Sequence, residues 1–278
     1  MTLRLTKDTR LCLSLSARPS NFGTRFHNFL YEALRLDFVY KAFAIDDIAG
    51  AVAGIRALRV RGAAVSMPFK EAVIAHVDRM MPSAAAIGSV NTLVLDDDGL
   101  SAHNTDYGAV ASLIASNRLD PATPVVLSGS GGMAKAVACA FRDAGFRRGV
   151  IVARNAVTGQ RLAETCGWDW RAGFGDGYAP ILVNVTPIGM AGGREADDLA
   201  FPLQAIAAAE TVVDVVALPV ETPTIRAARA AGRRVITGAE IGVLQAVEQF
   251  VLYTGVRPDA ATIARAAAFA RGTATTLA

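Results

Sequence analysis

Residues 125–135, Val125-Val126-Leu127-Ser128-Gly129-Ser130-Gly131-Gly132-Met133-Ala134-Lys135, carry the reading on which the fold turns. A short apolar run enters a glycine turn, and the residues beyond it, KAVACAFRDAG, have helical spacing. Gly129, Gly131 and Gly132 permit a tight turn and bring backbone N–H groups close to an anion at the positive end of a helix. Gly129 to Ala134, in the order G-S-G-G-M-A, form a close variant of the dinucleotide-binding fingerprint. A glycine turn by itself is weak evidence. The strand before it and the helix after it give this one weight.

The next apolar run, RGVIVARN (148–155), bears on the choice of dinucleotide. NAD-selective folds place an acidic residue near this point to accept from the ribose hydroxyls. Here Arg154 follows the run, and no carboxylate competes with it in the local sequence. An arginine there either lies solvated on the surface or pairs with a 2′-phosphate. The second reading implies NADP, with Asn155 and Thr158 as further hydrogen-bonding groups. APILVNVTPIGM (179–190) and ETVVDVVALP (210–219) read as further strands.

Upstream, strands and helices alternate. RLCLSLS (10–16), FVYKAFA (38–44) and GAAVSM (62–67) read as strands, while residues 21–36 and 45–58 have helical spacing. This order predicts βαβ units and a mainly parallel sheet. Residues 91–106 look like two strands around an Asp-Gly turn. From Gly238 the chain turns helical and alanine-rich. The fold class is α/β, and 278 residues exceed what one core usually organises, so two domains are expected.

Composition narrows the functions. Hydrophobic residues make up 52% and charged residues 19%, which fits a well-buried globular chain. A net charge of +3 is too small to imply nucleic-acid binding. Cys12, Cys139 and Cys166 are widely spaced, and with three histidines they give neither a disulfide framework nor a metal-ligand cluster. The opening MTLRLTKDTR lacks an apolar core of leader length, and no apolar stretch is long enough for a bilayer. A cytoplasmic protein without metal or membrane is expected, as a monomer or homodimer.

Two charged residues fall outside this patterning. Lys70 closes the apolar stretch AAVSMPFK (63–70), and Asp106 follows the second strand of the Asp-Gly hairpin. Taken singly, Lys70 reads as a solvated lysine opening a helix and Asp106 as an N-cap. Beside a hydride-accepting cofactor they acquire another role. Oxidising an alcohol needs a base for the hydroxyl proton, and a lysine with a nearby carboxylate suits that task.

The segments VSMPFKE, SVNT, NTD, GSGGMA and GAEIGVLQA, with SLSARPSNFGTRFHN before them, stand in the order and spacing of the shikimate dehydrogenase family. The chain resembles that family over nearly its whole length, most closely its shikimate dehydrogenase-like branch. The resemblance implies a substrate domain from residues 1–105 and 238–278 and an NADP-binding Rossmann domain from 106–237. It implies that Lys70 and Asp106 are the catalytic pair and that Ser14 and Ser16 hold the substrate carboxylate. Ser66, Asn91 and Gln245 would bind the ring hydroxyls. Gly129, Ser130, Gly131, Gly132, Met133, Ala134, Arg154, Asn155, Asn184 and Thr186 would line the NADP site.

This sequence also departs from the family. Ala64 stands where asparagine is usual, Ser66 where threonine is, and Ala217 where tyrosine is common. Arg18 is an insertion before Pro19, ARN replaces NRT, and Thr158 replaces a second arginine. The expected activity is therefore reversible reduction of 3-dehydroshikimate, as in aromatic amino acid biosynthesis, or of a close analogue. Quinate or amino-shikimate oxidation, or a non-catalytic NADP-binding ligand sensor, are the alternatives.

Overall fold

Alternation along β1 (Arg10–Ser16) places Cys12, Ser14 and Ser16 on one face and Leu11, Leu13 and Leu15 on the other. Each face meets its own core. The computed structural model describes residues 5–85, 87–175 and 178–272. The first four residues, part of the N-terminal stretch read above, lie outside them. No helix among the described residues is long and apolar enough to cross a membrane.

After β1 the chain forms α1 (Phe22–Ala33), β2 (Phe38–Ala44), α2 (Ile48–Ala57) and β3 (Gly62–Val65). A 3-10 turn (Ala72–His76) leads to β4 (Arg79–Met80), α3 (Pro82–Ala85), β5 (Thr92–Asp96) and β6 (Gly99–His103). Then come α4 (Thr105–Ser116), β7 (Val125–Ser128), α5 (Gly132–Asp143), β8 (Gly149–Val152), α6 (Ala156–Cys166) and β9 (Asp169–Arg171). The chain continues through β10 (Ile181–Asn184), α7 (Leu203–Ala208), β11 (Thr211–Asp214), α8 (Pro223–Ala230) and β12 (Arg234–Thr237). Two helices, α9 (Gly238–Thr254) and α10 (Ala260–Arg271), close it.

The chain divides into two compact units, residues 1–105 with 243–278, and residues 106–242. The return falls inside α9 at Val243, whereas Gly238 was the expected boundary. The first turn of α9 stays with the second unit because Ile241 is buried there, lining the same apolar cleft as Val213 and Ile236.

In the first unit six strands form a sheet of order β2-β1-β3-β5-β6-β4. β1 pairs in parallel with β2 and β3, and β4 with β6, while β5 runs antiparallel to β3 and β6. One face carries Cys12, Tyr40 and Val94 against α1, α9 and α10. The other carries Leu13, Ala63, Leu93 and Ala102 against α2 and the 3-10 turn. α1 stops short of the expected 21–36 because Arg35 takes a left-handed φ of 54°, and Leu36 N–H then bonds back to Tyr31 C=O at 2.9 Å.

The second unit is a wholly parallel sheet of order β12-β11-β10-β7-β8-β9. In chain order that is 6-5-4-1-2-3, the doubly wound Rossmann order. Its strands are almost continuously apolar because helices cover both faces. Local caps set the helix starts: Asn155 accepts from Thr158 N–H, and Thr222 from Ile225 N–H with Pro223 next in line.

Candidate active-site residues of the two units

In the first unit, strand register brings sequence-distant polar residues into one row. Ser14 lies beside Ala64, Ala64 beside Thr92, and Thr92 beside His103. The buried Tyr40 comes toward this row from β2, burial pushing its phenol pKa up against a smaller lowering by the Ser14 side chain. Ser16 Oγ accepts from Arg18 N–H at 3.1 Å and donates weakly to Met67 C=O at 3.4 Å. Ala64 puts a methyl group between Ser14 and Thr92, where an amide would have reached across the row.

β3 ends at Val65, two residues before the expected end, and residues 67–71 form turns leading into the 3-10 turn. Ser66 is held by its main chain, its N–H bonding Leu15 C=O at 2.9 Å. Lys70 is half-buried at the end of this turn, its carbonyl accepting from Val90 N–H at 2.8 Å. That bond ties the lysine segment to the residues leading into β5, Asn91 among them. Asp106 lies in the first turn of α4 and is only 3% exposed. It is not the helix's solvated N-cap.

Asn91 is fully buried, and its side-chain oxygen is crowded. Oδ1 accepts from Thr105 N–H at 2.8 Å, Thr92 Oγ1 at 2.8 Å and Thr105 Oγ1 at 3.2 Å. Its Nδ2 has no hydrogen-bond partner among the described residues. A buried donor without a partner costs about 1–3 kcal/mol, so this amide awaits an acceptor. Gln245, on α9, is half-buried. Four residues on, on the same helix face, Gln249 is buried and donates to Asn91 C=O at 3.3 Å and Thr92 Oγ1 at 3.1 Å. Sequence reading missed Gln249; its spacing from Gln245 was the available signal.

In the second unit, Gly129 takes a φ of +124°, and a Cβ there would press on Val185 Cγ2 at 2.9 Å and its carbonyl oxygen at 3.0 Å. Glycine is required at this point. Gly131 caps α5, and a Cβ on it would meet nothing within 4 Å, so the helix N-terminus faces open space. Ser130 Oγ bonds Thr158 Oγ1 at 2.7 Å, tying the turn to the start of α6. Met133 is half-buried and Ala134 fully buried, where α5 packs on the sheet. The residues present fit a pyrophosphate: an open cradle of N–H groups with no side chain to fill it.

Arg154 is 79% exposed, as a clamp for an incoming phosphate requires, but it is not without a competitor. Glu195 Oε1 lies 3.4 Å from Arg154 Nη1. The local sequence showed no such carboxylate because Glu195 comes from a loop 41 residues further on. Asn155 spends its side-chain oxygen capping α6. Asn184 turns its side chain inward. It is fully buried; its Nδ2 donates to Asp214 Oδ1 and Ile188 C=O, and its Oδ1 accepts from Thr186 N–H and Oγ1. Every amide hydrogen-bonding group is used, so Asn184 shapes the loop and leaves Thr186, half-buried, nearer its surface. Asp214, which burial pushes above the usual carboxylate range, is held further by Thr222 Oγ1 and Val216 N–H.

Strand order, glycine turn and polar row together define a two-unit α/β protein with a Rossmann unit of the nucleotide-binding type. A family model described as the shikimate dehydrogenase substrate binding domain matches residues 21–93. The chain is 55% identical over 267 residues to the shikimate dehydrogenase-like protein of Haemophilus influenzae, covering 96% of this chain and 98% of the relative. It is 35% identical to the shikimate dehydrogenase (NADP(+)) of Moorella thermoacetica, covering 86% and 85%. The solved shikimate 5-dehydrogenase of Thermus thermophilus, in complex with NADP(H) and shikimate, has a TM-score of 0.84 and 28% identity, covering 94% of this chain and 99% of that one. The chain belongs to the shikimate dehydrogenase family.

Proposed function

We propose that this protein is an NADP-dependent oxidoreductase interconverting a cyclic hydroxy acid of the shikimate type and its keto form. The observation that carries the substrate half is the unpaired donor of buried Asn91, just before the strand paired with that of Ala64 and thus two strands from Ser14. Ser14 and Ser16 take the carboxylate, and Ser66, Asn91 and Gln245 the ring oxygens. A polyhydroxylated acid needs several neutral donors and acceptors, and a site built for them rejects analogues that lack them.

Lys70 moves the hydroxyl proton: it accepts it during oxidation and returns it during reduction. Asp106 is the second member of the pair that the family resemblance assigns to this proton transfer. NADP, when bound, supplies the hydride-carrying nicotinamide. Gly129, Ser130, Gly131, Gly132, Met133 and Ala134 form the turn that would hold its pyrophosphate, with Arg154, Asn155 and Thr186 alongside. Arg154 would meet the 2′-phosphate.

Ala64 favours a second reading within the same chemistry. The methyl between Ser14 and Thr92 removes a contact that shikimate would use elsewhere in the family, so quinate or another shikimate analogue competes as the preferred substrate. The test is steady-state turnover of shikimate, quinate and related hydroxy acids with NADP and with NAD, followed at the nicotinamide absorbance band. NADP-dependent oxidation of at least one acid is expected. Binding of NADP without turnover of any of them would favour a ligand sensor over an enzyme.

A further inference from the structure

We propose that Gln249 and Thr92 are positioning residues that hold the Asn91 amide in the orientation its contact with Thr105 N–H requires, with Nδ2 toward the substrate. This rests on the reading that Asn91 takes a substrate oxygen. Main-chain groups have no freedom of role: an N–H donates and a carbonyl accepts. They therefore settle the orientation of both side-chain amides without reference to hydrogens. Thr105 N–H, 2.8 Å away, requires the Asn91 atom facing it to be Oδ1. Asn91 C=O, at 3.3 Å, requires the Gln249 atom facing it to be Nε2.

The direction of the remaining bonds follows. Gln249 Nε2 is a donor only, so Thr92 Oγ1, at 3.1 Å, must accept from it. Thr92 has one hydroxyl proton, and its best remaining acceptor is Asn91 Oδ1 at 2.8 Å, closer than Thr105 Oγ1 at 3.4 Å. A relay runs from Gln249 through Thr92 to Asn91. It fills Oδ1 and leaves Nδ2 as the only part of the amide without a partner. All three residues are at most 5% exposed, so water does not relax this polarity cheaply.

The consequence is a rule for the ligand. The position opposite Asn91 Nδ2 accepts a hydrogen bond, so a hydroxyl or keto oxygen fits there and an ammonium group does not. Gln249 reinforces this choice without touching substrate, from a helix that closes the unit 158 residues after Asn91.

The experiment measures KM and kcat for shikimate at saturating NADP, or for quinate if the panel shows it to be the better substrate. Each variant's fold is checked by circular dichroism. Gln249→Met and Thr92→Val should each raise KM about three- to tenfold, the scale of one weakened hydrogen bond, with kcat held within about twofold. Thr92→Ser keeps the hydroxyl and should keep the wild-type KM. In an Asn91→Ala background, Gln249→Met should add nothing further, because its effect passes through Asn91. If Gln249→Met does not fold, the Thr92 pair decides. The inference is overturned if Asn91→Ala raises KM while Gln249→Met and Thr92→Val do not. It is overturned too if Thr92→Ser behaves as Thr92→Val, or if the Asn91 and Gln249 effects simply add. An unchanged KM in Asn91→Ala overturns the reading of the site itself, and the relay with it.

Discussion

Lys70 ends a turn whose main chain is pinned to Val90, so its position is set by the backbone. Its replacement should therefore be a chemical lesion more than a structural one. Lys70→Ala is expected to lower kcat on the order of a hundredfold or more, the scale of a positioned acid–base group, while NADP affinity stays within about twofold. A variant that keeps nearly wild-type turnover would make Lys70 an ordinary lysine. Arg154 poses a different question at this scale. Its partner Glu195 sits at 3.4 Å in an exposed pair, and such pairs contribute little in water. A doubly charged 2′-phosphate should displace the carboxylate, at some loss of affinity. Glu195→Gln is expected to tighten NADP by roughly two- to fivefold and leave NAD unchanged. Arg154→Ala should bring NADP down toward NAD, and the difference should shrink with added salt in the wild type. Calorimetric titration of both dinucleotides reads these outcomes; an unchanged NADP-to-NAD ratio in Arg154→Ala would remove it from the phosphate site.

Between α1, β2 and α9 lies an aromatic layer with a histidine inside it. His27 is fully buried, stacks on Tyr40 with ring centroids 4.3 Å apart and an interplanar angle of 14°, and neighbours Phe250 and Tyr253. Burial pushes its pKa down from 6.5 to about 3, against a weaker opposing pull from the Gln249 side chain. The sign follows from linkage. Between these two values the unfolded chain binds a proton that the folded protein refuses, so stability falls as pH drops from 6.5 toward 3. Above 6.5 the contribution is complete. Thermal melts across that window should show a falling Tm in the wild type and a shallower fall in His27→Phe. Equal slopes would mean that other groups dominate acid unfolding.

At the scale of the whole molecule, each unit has its own sheet and its own core, one of them built from both ends of the chain. Each ligand should then protect its own unit. Hydrogen exchange with NADP alone is expected to slow amides at 129–134 and 154–158. Shikimate, or the best acid of the panel, should slow those at 14–17, 66–70 and 91–92. Ligand binding should also raise Tm with concentration, by mass action. Protection by the acid elsewhere in the first unit would show that the polar row is not its site.

Much of this was legible in the chain because it depends on neighbours in sequence. A four-residue apolar strand, a glycine turn and an amphipathic helix are local facts, so 125–143 announced the Rossmann unit before any contact was known. The same holds for β1, β2 and the hairpin of β5 and β6, whose expected positions the structure follows closely. Short elements such as β9 and β12 escaped notice, since three or four residues carry little periodicity. Family motifs marked Lys70, Asp106, Ser14 and Asn91 as candidates, yet gave no direction to any hydrogen bond. Only the tertiary structure decided that Asn184 is spent inside its loop, that Glu195 faces Arg154, and that Gln249 reaches Asn91. The reason is physical. A strand or a turn is dictated by the residues within a few positions of it, whereas a buried amide takes its role from whichever donors and acceptors the packed chain brings to it.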